Sequence, residues 1–387
     1  MRGPLSRYCL AGARFCWRLL PSRIRSRLMI EGLRRLVPKA ENIPADGTAP
    51  LYVLGFFSAP TGLGQSARLF LQEMRHSYPQ AYAVDLSFML RSTPTAGLHE
   101  EACLPLENLA DHAGPGTVAV HANPPGYMAA LLATRKLLPG KRRIACWVWE
   151  LEDIPPAWTR CFDYLDEVIT PSSFVTEAVR KHTEKPVRTR PYAVPPPPAL
   201  QKPAVRPFTV LSCFDLGSNY YRKNPLAAME AFKLAFPDGS NARLLLKVSG
   251  VEKQPREWLT LLESVDASTV RFCLARLSQE EMDALYAECD VYLSLHRSEG
   301  YGLTIQEAML HGLPVVATGW SGNMDFMRGE DCYPVPYTLT PVGDPQGSYH
   351  VAGALWADPD IRAAADILRK LHEQFVQGRT QPEYLYA

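Results

Sequence analysis

Short apolar runs alternate along this chain with longer stretches whose apolar residues recur at helical spacing. That rhythm predicts parallel strands joined by crossover helices. In the first half, Leu51 to Phe57, Ala81 to Leu86, Thr117 to His121, Arg143 to Val148 and Glu167 to Thr170 read as strands, with helices such as Gly64 to His76 and Ser173 to His182 among them. A second series has strands at Phe208 to Phe214, Arg243 to Val248, Val270 to Cys273, Val291 to Leu295 and Pro314 to Ala317. Its helices include Pro225 to Phe236, Gln279 to Glu288 and Leu303 to His311, and a helix from Asp360 to Phe375 closes it. Between the two series lies RPYAVPPPPALQKPAVRP, Arg190 to Pro207, whose seven prolines suit neither a helix nor a central strand.

These patterns divide the chain into a basic amphipathic segment (1–46), a first domain (47–189), a proline-rich linker (190–207) and a second domain (208–387). The expected class is α/β, with two Rossmann-like doubly wound domains facing across a cleft. Ligands of such sheets bind beyond the carboxyl ends of the strands.

Composition narrows the function classes. At 387 residues and 47% hydrophobic, the chain can bury two cores of ordinary size. Its 41 basic and 40 acidic side chains nearly cancel, which argues against nucleic acid as a partner. The exception is local: residues 1–39 hold nine arginines and one lysine against the single acid Glu31, interleaved with apolar residues. Such a segment suits either peripheral contact with an anionic membrane or a helix covering the first domain, and Pro21 interrupts it early. Nine scattered cysteines without a C-x-x-C fit reduced thiols and a cytoplasmic protein, peripheral on the inner membrane face if the basic segment binds there. No apolar run approaches the length of a membrane span.

The stretch most suggestive of chemistry is DVYLSLHRSEGYGLTIQEAM. A buried strand runs into Glu299, the glycine-broken Gly300-Tyr301-Gly302, and a helix from Leu303 that carries Glu307 about one turn in. Glycines permit close backbone approach, and free N–H groups at a helix start favour a phosphate. The two carboxylates could then bracket a phosphate-bearing ligand. The structural alternative is that Glu299 merely complements the helix terminus and Glu307 is solvated.

Taken with the residues around it, SLHRSEGYGLTIQEAMLHGLPVVATGWSGNMDFM resembles the nucleotide-sugar motif of retaining GT-B glycosyltransferases of the family-four type (glycosyl transferases group 1). The likeness covers roughly Leu51 to Phe375 and is strongest in the second half. It implies that Glu307 binds ribose hydroxyls, Glu299 the donor sugar, and Gly300, Tyr301, Gly302 and Leu303 the diphosphate. It also implies an arginine and a lysine on the diphosphate, for which Arg222 and Lys223 in SNYYRKNP are the candidates. Many members place that arginine directly after a glycine at the strand end, where this chain has Asp215 and Leu216. In the first domain, Gly62 and Gly64 match the family's glycine-rich loop, although a tight turn explains them equally well. His121, which ends a strand, matches a histidine that some members hold near the donor sugar, although a lone histidine is more often structural. His296 has a similar claim in the second domain.

Other residues carry less. The tryptophans of WVWELEDIPPAW suit an acceptor site or a core. Lys247, charged near the end of a strand, is one more candidate for facing the nucleotide. Asp358-Pro-Asp360 has the spacing of a metal-binding D-x-D, but a capped helix start with proline in its first turn explains it better. No metal and no cofactor are expected beyond a GDP- or UDP-linked sugar as co-substrate.

The expected activity is transfer of a hexose from a nucleoside diphosphate sugar to a glycan or lipid-linked acceptor, as in bacterial surface polysaccharide synthesis. RKNP and SGNMDFM are loosely similar to mannosyltransferase-like members. The alternatives are a non-catalytic sugar-nucleotide-binding scaffold and a GT-B sugar-nucleotide epimerase.

Overall fold

The structure is a computed structural model, and it describes residues 20–78, 80–90, 103–198, 206–238, 241–266 and 268–380. Most of the basic segment's first half lies outside these residues. The chain separates into two compact units: the first ends at Ala193 and takes in Asp344–Ala352, and the second comprises Val194–Gly343 and the chain from Gly353 onward. The sequence boundaries were drawn instead at 189/190 and 207/208.

The first unit opens with helix α1 (Ser22–Leu33). Pro21 stands at its N-cap, where a missing N–H costs nothing, so the proline starts the helix. Ile30 is fully buried, whereas Ile24 and Leu28 are exposed. Beyond the helix, Arg142 donates to the Ile43 carbonyl (2.7 Å) and Arg143 to that of Pro38 (2.6 Å), which fastens the segment to the sheet.

That sheet consists of β1 (Leu51–Gly55), β2 (Ala81–Asp85), β3 (Gly116–Val120), β4 (Lys141–Cys146), β5 (Glu167–Thr170) and β6 (Val187–Thr189), all parallel, in the order β2-β1-β3-β4-β5-β6. Helices α2 (Gly62–Ser77), α3 (Gly126–Ala133) and α4 (Ser173–Arg180) connect them. Strand β4 begins two residues before its expected start. Its three leading cations are buried because each finds an acceptor: Lys141 the His112 carbonyl (2.7 Å), Arg142 the Glu167 carboxylate (2.7 Å) and Arg143 the backbone of Pro38. β6 was not anticipated, because only Val187 of its three residues is buried and no apolar run marks it.

The second unit carries β7 (Phe208–Asp215), α5 (Tyr220–Lys223), α6 (Pro225–Ala235), β8 (Ala242–Ser249), α7 (Pro255–Glu263), β9 (Val270–Cys273), α8 (Gln279–Ala287), β10 (Val291–Ser294), α9 (Leu303–Leu310), β11 (Val315–Thr318) and β12 (Cys332–Val335). Its parallel sheet has the order β12-β11-β10-β7-β8-β9, that of a Rossmann sheet, with the change of direction between β7 and β10. A hairpin of β13 (Tyr337–Pro341) and β14 (Leu355–Pro359) precedes the last helix, α10 (Ile361–Thr380).

The D-x-D spacing resolves into two unrelated roles. Asp358 lies in β14 and pairs with Arg297 (2.5 Å), while Asp360 caps α10 by accepting from the amides of Arg362 and Ala363 (both 3.0 Å). Pro359 therefore ends the strand and does not enter the helix's first turn. One face of the sheet buries Phe208, Phe232, Leu244, Leu246 and Leu368, and the other buries Leu211, Cys213, Tyr286, Tyr292 and Ile305. Burial of this apolar area stabilises each unit by about 25 cal/mol per Å².

The turn from β1 into α2 separates two glycines. A Cβ at Gly64 would overlap the Ala59 carbonyl oxygen and come within 2.8 Å of that of Phe56, so the backbone itself requires glycine there. At Gly62 a Cβ would meet nothing within 4 Å. Gly64→Ala is therefore expected to destabilise the protein by about 1–3 kcal/mol. Gly62→Ala should be neutral or stabilise it by up to about 1 kcal/mol. Urea denaturation of both variants checks the pair, and equal effects would show that the turn is misread.

Candidate functional site

At the carboxyl end of β7 the chain makes a tight sequence of caps. Asp215 accepts from the Gly217 amide (2.7 Å), and Asn219, with φ of 73°, accepts from the Arg222 amide (2.9 Å) to start α5. Arg222 and Lys223 therefore close a short helix rather than open a long one, and Asn224, left-handed at φ 51°, turns the chain into α6. Asn224 also donates to the Leu295 carbonyl (3.0 Å), and the Arg297 amide donates to the Arg222 carbonyl (2.7 Å). The loop after β7 is thus bonded to the loop after β10, across the point where the strand order reverses.

Glu299 sits in that junction. One carboxylate oxygen is 3.0 Å from Arg222 Nη1 and the other 2.6 Å from Lys223 Nζ. Arg222, only 2% exposed, also donates to the carbonyls of Ser298 (2.7 Å) and Ser218 (3.0 Å). Burial alone would raise the Glu299 pKa, yet Arg222, Lys223 and His296 overcome it and hold the carboxyl at about 2. It is ionised throughout the physiological range.

The backbone of Glu299 is fixed from the other side by the loop after β11. Ser321 Oγ accepts from the Glu299 amide (2.8 Å), and the Gly322 amide donates to the Glu299 carbonyl (2.9 Å). Ser321 has φ 78° and ψ −152°, a region that normally only glycine enters, at a cost on the order of 1–3 kcal/mol. A Cβ at Gly322 would come within 2.6 Å of the Gly300 carbonyl carbon, so that glycine allows the two loops to touch.

Helix α9 then starts at Gly302, with φ of 100° and no side-chain cap. The amides of Leu303 and Thr304 donate to no acceptor among the described residues, and they open an anion-binding helix terminus. The ring of Tyr301 is buried against Phe326 with centroids 5.0 Å apart.

Glu307 is separate from this cluster. Its carboxylate accepts from Tyr286 Oη (3.0 Å), and burial, reinforced by Asp283 and opposed by the Tyr286 bond, raises its pKa to about 7. Behind it, His311 stacks on Tyr286 with centroids 4.5 Å apart. Its Nδ1 faces the Glu307 carbonyl (2.7 Å) and its Nε2 the Asp283 carboxylate (3.1 Å). The two glutamates are therefore held by different partners in different charge environments.

Residues 213–368 match the family model of Glycosyl transferases group 1. The matched glycosyl transferases group 1 region contains Arg222, Lys223, Gly300, Tyr301, Gly302, Leu303, Glu299 and Glu307. No curated protein sequence matches the chain. Among solved structures, HepE of Anabaena, in complex with UDP and glucose, is similar at 13% identity and a TM-score of 0.57, over 86% of this chain and 92% of that one. A glycosyltransferase of Rickettsia africae is similar at 12% identity and a TM-score of 0.55, over 85% and 89%. A mutant of S. aureus TarM, in complex with fondaparinux, alpha-GlcNAc-glycerol and UDP, is similar at 13% identity and a TM-score of 0.50, over 68% of this chain and 49% of that one. The chain thus spans about half the length of TarM. At these identities the likeness is one of fold, and the fold is GT-B.

In the first unit, the histidine candidates and aromatic candidates fall mostly into the core. His121 is 1% exposed, donates its amide to the Leu54 carbonyl (2.7 Å) and lies 3.4 Å from Tyr192 Oη through Nε2. Burial lowers its pKa to about 4, so the ring is neutral, and its Nδ1 has no hydrogen-bond partner among the described residues. Trp147, Trp149 and Trp158 are buried against one another, which favours the core reading. In the second unit His296 is also internal: Ser294 Oγ is 3.1 Å from Nδ1, and Nε2 is near Asn323 Oδ1 (3.2 Å).

The residues that sequence reasoning missed are Ser321 and Gly322, which hold Glu299, and Tyr286, which holds Glu307. Only a serine-glycine pair after a strand could have signalled the first, and nothing in the α8 sequence signals the second. Among the described residues no group of three or more His, Cys, Asp or Glu is placed to hold a metal, and no helix is long and apolar enough to cross a membrane.

The two carboxyls give opposite pH signatures. Glu299, whose pKa is lowered, contributes stability above its ordinary value of 4.5 and loses it as pH falls toward about 2. Glu307, whose pKa is raised, contributes stability below 4.5 and loses it as pH rises through about 7. Relative to wild type, Glu307→Gln should therefore become more stable between pH 5 and pH 8, by on the order of 2 kcal/mol. Urea melts at the two pH values read the difference, and a pH-independent offset would contradict the assignment.

Proposed function

We propose that the chain is a retaining, metal-independent glycosyltransferase. It moves a hexose, mannose being one candidate, from a UDP- or GDP-linked donor to a glycan or lipid-linked acceptor in bacterial surface polysaccharide synthesis. The observation that carries this reading is the contact of Glu299 with both Arg222 and Lys223, where the strand order reverses and beside the uncapped start of α9. The match to Glycosyl transferases group 1 supports the class, and the UDP and glucose in the HepE complex suit the donor.

On this reading the diphosphate supplies oxygens to Arg222, Lys223 and the α9 amides, and Glu299 turns its freed acceptor capacity to hydroxyls of the sugar. Arginine grips phosphate through paired N–H groups, so no metal is required to neutralise the leaving group. The acceptor hydroxyl attacks the anomeric carbon on the face from which the diphosphate leaves. The carbon–oxygen bond to phosphate breaks with its electron pair moving onto the diphosphate, and a phosphate oxygen takes the hydroxyl proton. Preorganised cations aimed at that growing charge supply a large share of the rate enhancement. Glu307, when ionised, accepts ribose hydroxyls and positions the nucleotide. His121, neutral and buried, is the first unit's candidate for the sugar side.

The full chain, given a panel of UDP- and GDP-sugars, should release the nucleoside diphosphate only when an acceptor is present. Release should fall by about 10²–10³ in kcat for Arg222→Met. Glu307→Ala should raise the donor KM or abolish turnover. Donor binding without acceptor-dependent release would favour a scaffold, and interconversion of the donor sugar an epimerase. Wild-type kinetics in Glu307→Ala would remove that residue from the site.

A further inference from the structure

Five lysine and arginine residues are, taken whole, at least nine-tenths buried among the described residues: Lys141, Arg142, Arg143, Arg222 and Lys247. Four have acceptors. Lys141 donates to the His112 carbonyl, Arg142 to Glu167, Arg143 to the Pro38 carbonyl, and Arg222 to Glu299 and two carbonyls. Lys247, 9% exposed, makes no hydrogen bond and no ion pair among the described residues, and its Nζ is not among the buried atoms left without a partner, so its stem is buried while its ammonium opens to solvent. The long stem is thus covered by the sheet, while the charge itself is left to water or to a ligand.

The place of Lys247 in β8 explains where its charge is directed. Leu244, Leu246 and Val248 alternate into the core cluster on one face, so Lys247 lies on the other face with Leu245, which packs on the cluster of Cys213, Tyr286 and Ile305. It stands opposite Cys213 in the β7 register and two residues before the carboxyl end of its strand. Burial pushes the Cys213 thiol up, Cys289 and Glu307 add to this, and Lys247 opposes them, so the lysine and Glu307 act on the same thiol with opposite sign. The side of the site that holds Glu307 is the side expected to take the ribose.

Charge supplies the second argument. Arg222 and Lys223 already share the carboxylate of Glu299, which leaves a net single positive charge for a donor that carries a negative charge on each of two phosphates. An additional cation is needed for balance, and Lys247 is the unpaired one.

We propose that Lys247 is a third cation of the donor site and binds the phosphate next to the ribose, while Arg222 and Lys223 bind the phosphate next to the sugar. This rests on the donor reading given above. Two chemical features follow: the lysine recognises an anionic oxygen rather than the base, and its charge, unpaired within the described residues, is free to meet the nucleotide. Replacing a lysine that only carried its ammonium to water along an apolar stem would leave phosphate affinity unchanged.

The test uses the full chain and calorimetric titration with UDP and GDP, then with the matching monophosphates and nucleosides, for wild type, Lys247→Met and Lys247→Arg. A hydrogen bond to a charged group corresponds to about 10- to 100-fold in affinity. Lys247→Met should therefore bind the preferred diphosphate and its monophosphate about 10- to 100-fold more weakly than wild type. Its affinity for the nucleoside should be unchanged, and its ligand-free melting temperature should equal or exceed that of wild type. Lys247→Arg should recover most of the phosphate affinity. Wild-type affinity of Lys247→Met for the diphosphate overturns the proposal, as does an equal loss for nucleoside and nucleotide. If neither UDP nor GDP binds the wild-type chain, the donor reading itself fails and the Lys247 inference fails with it.

Discussion

A carboxylate withdrawn from water must be compensated, and Glu299 is compensated by two cations carried by α5, the short helix that follows β7. Removing one partner of a buried ion pair typically costs about 3–5 kcal/mol, because the remaining charge stays desolvated. The Glu299–Arg222–Lys223 group therefore fixes the loop after β10 against the loop after β7 wherever either is otherwise free to move. The bonds around it act in the same sense. Asn224 holds the Leu295 carbonyl, the Arg297 amide holds the Arg222 carbonyl, and Ser321 holds the Glu299 amide. The strained φ and ψ of Ser321 persist because the surrounding contacts over-determine them. A site that must present charge to a ligand without reorganising benefits from this kind of rigidity.

The same helix region holds a second carboxyl in the opposite electrostatic state. Glu299 sits against cations and ionises at about 2, whereas Glu307 sits against a tyrosine, with an aspartate nearby, and ionises at about 7. Two like groups a few residues apart whose environments push their pKa values apart mark different roles. Glu299 is a constant negative charge that organises cations. Glu307 is a group whose acceptor capacity depends on pH near neutrality, and its buried support, Tyr286 stacked on His311, orients it without adding charge to the ligand side.

Much of this was legible from the chain. Strand and helix alternation gave the α/β class, and β7, β8, β10 and β11 of the second sheet coincide with apolar runs because both of its faces are covered, whereas β12, with only Val335 buried, was not anticipated. The failures have specific causes. β4 begins with Lys141, Arg142 and Arg143, which look like a loop until their carbonyl and carboxylate partners are known. β6 is too short and too exposed to leave an apolar run, and Pro359, expected in a helix, ends a strand because the hairpin pairs it with Tyr337. Glu299, Glu307, Arg222 and Lys223 stand out as candidates from local motifs, and the structure brings the first, third and fourth together while Tyr286 holds Glu307. Their relationships were not readable, since Lys223 meets Glu299 across 76 residues of sequence and Tyr286 meets Glu307 across 21. Tertiary contacts of that span carry no local periodicity.

On the donor reading proposed above, the arrangement keeps cations ready for a diphosphate without a bound counterion. In the absence of ligand, Arg222 and Lys223 would repel one another and draw water, and side-chain entropy would spread Lys223 over many rotamers. The Glu299 carboxylate holds both in place and keeps the cluster compact. A diphosphate brings more negative charge than one carboxylate, so it competes for the same donors on favourable terms, and the carboxylate left behind remains an acceptor for hydroxyl groups. The cost of assembling the cations is met during folding, which lowers what binding must contribute. On that reading the internal ion pair is a placeholder for the ligand's charge, and the affinity of the site is set by the difference between the two anions rather than by either alone.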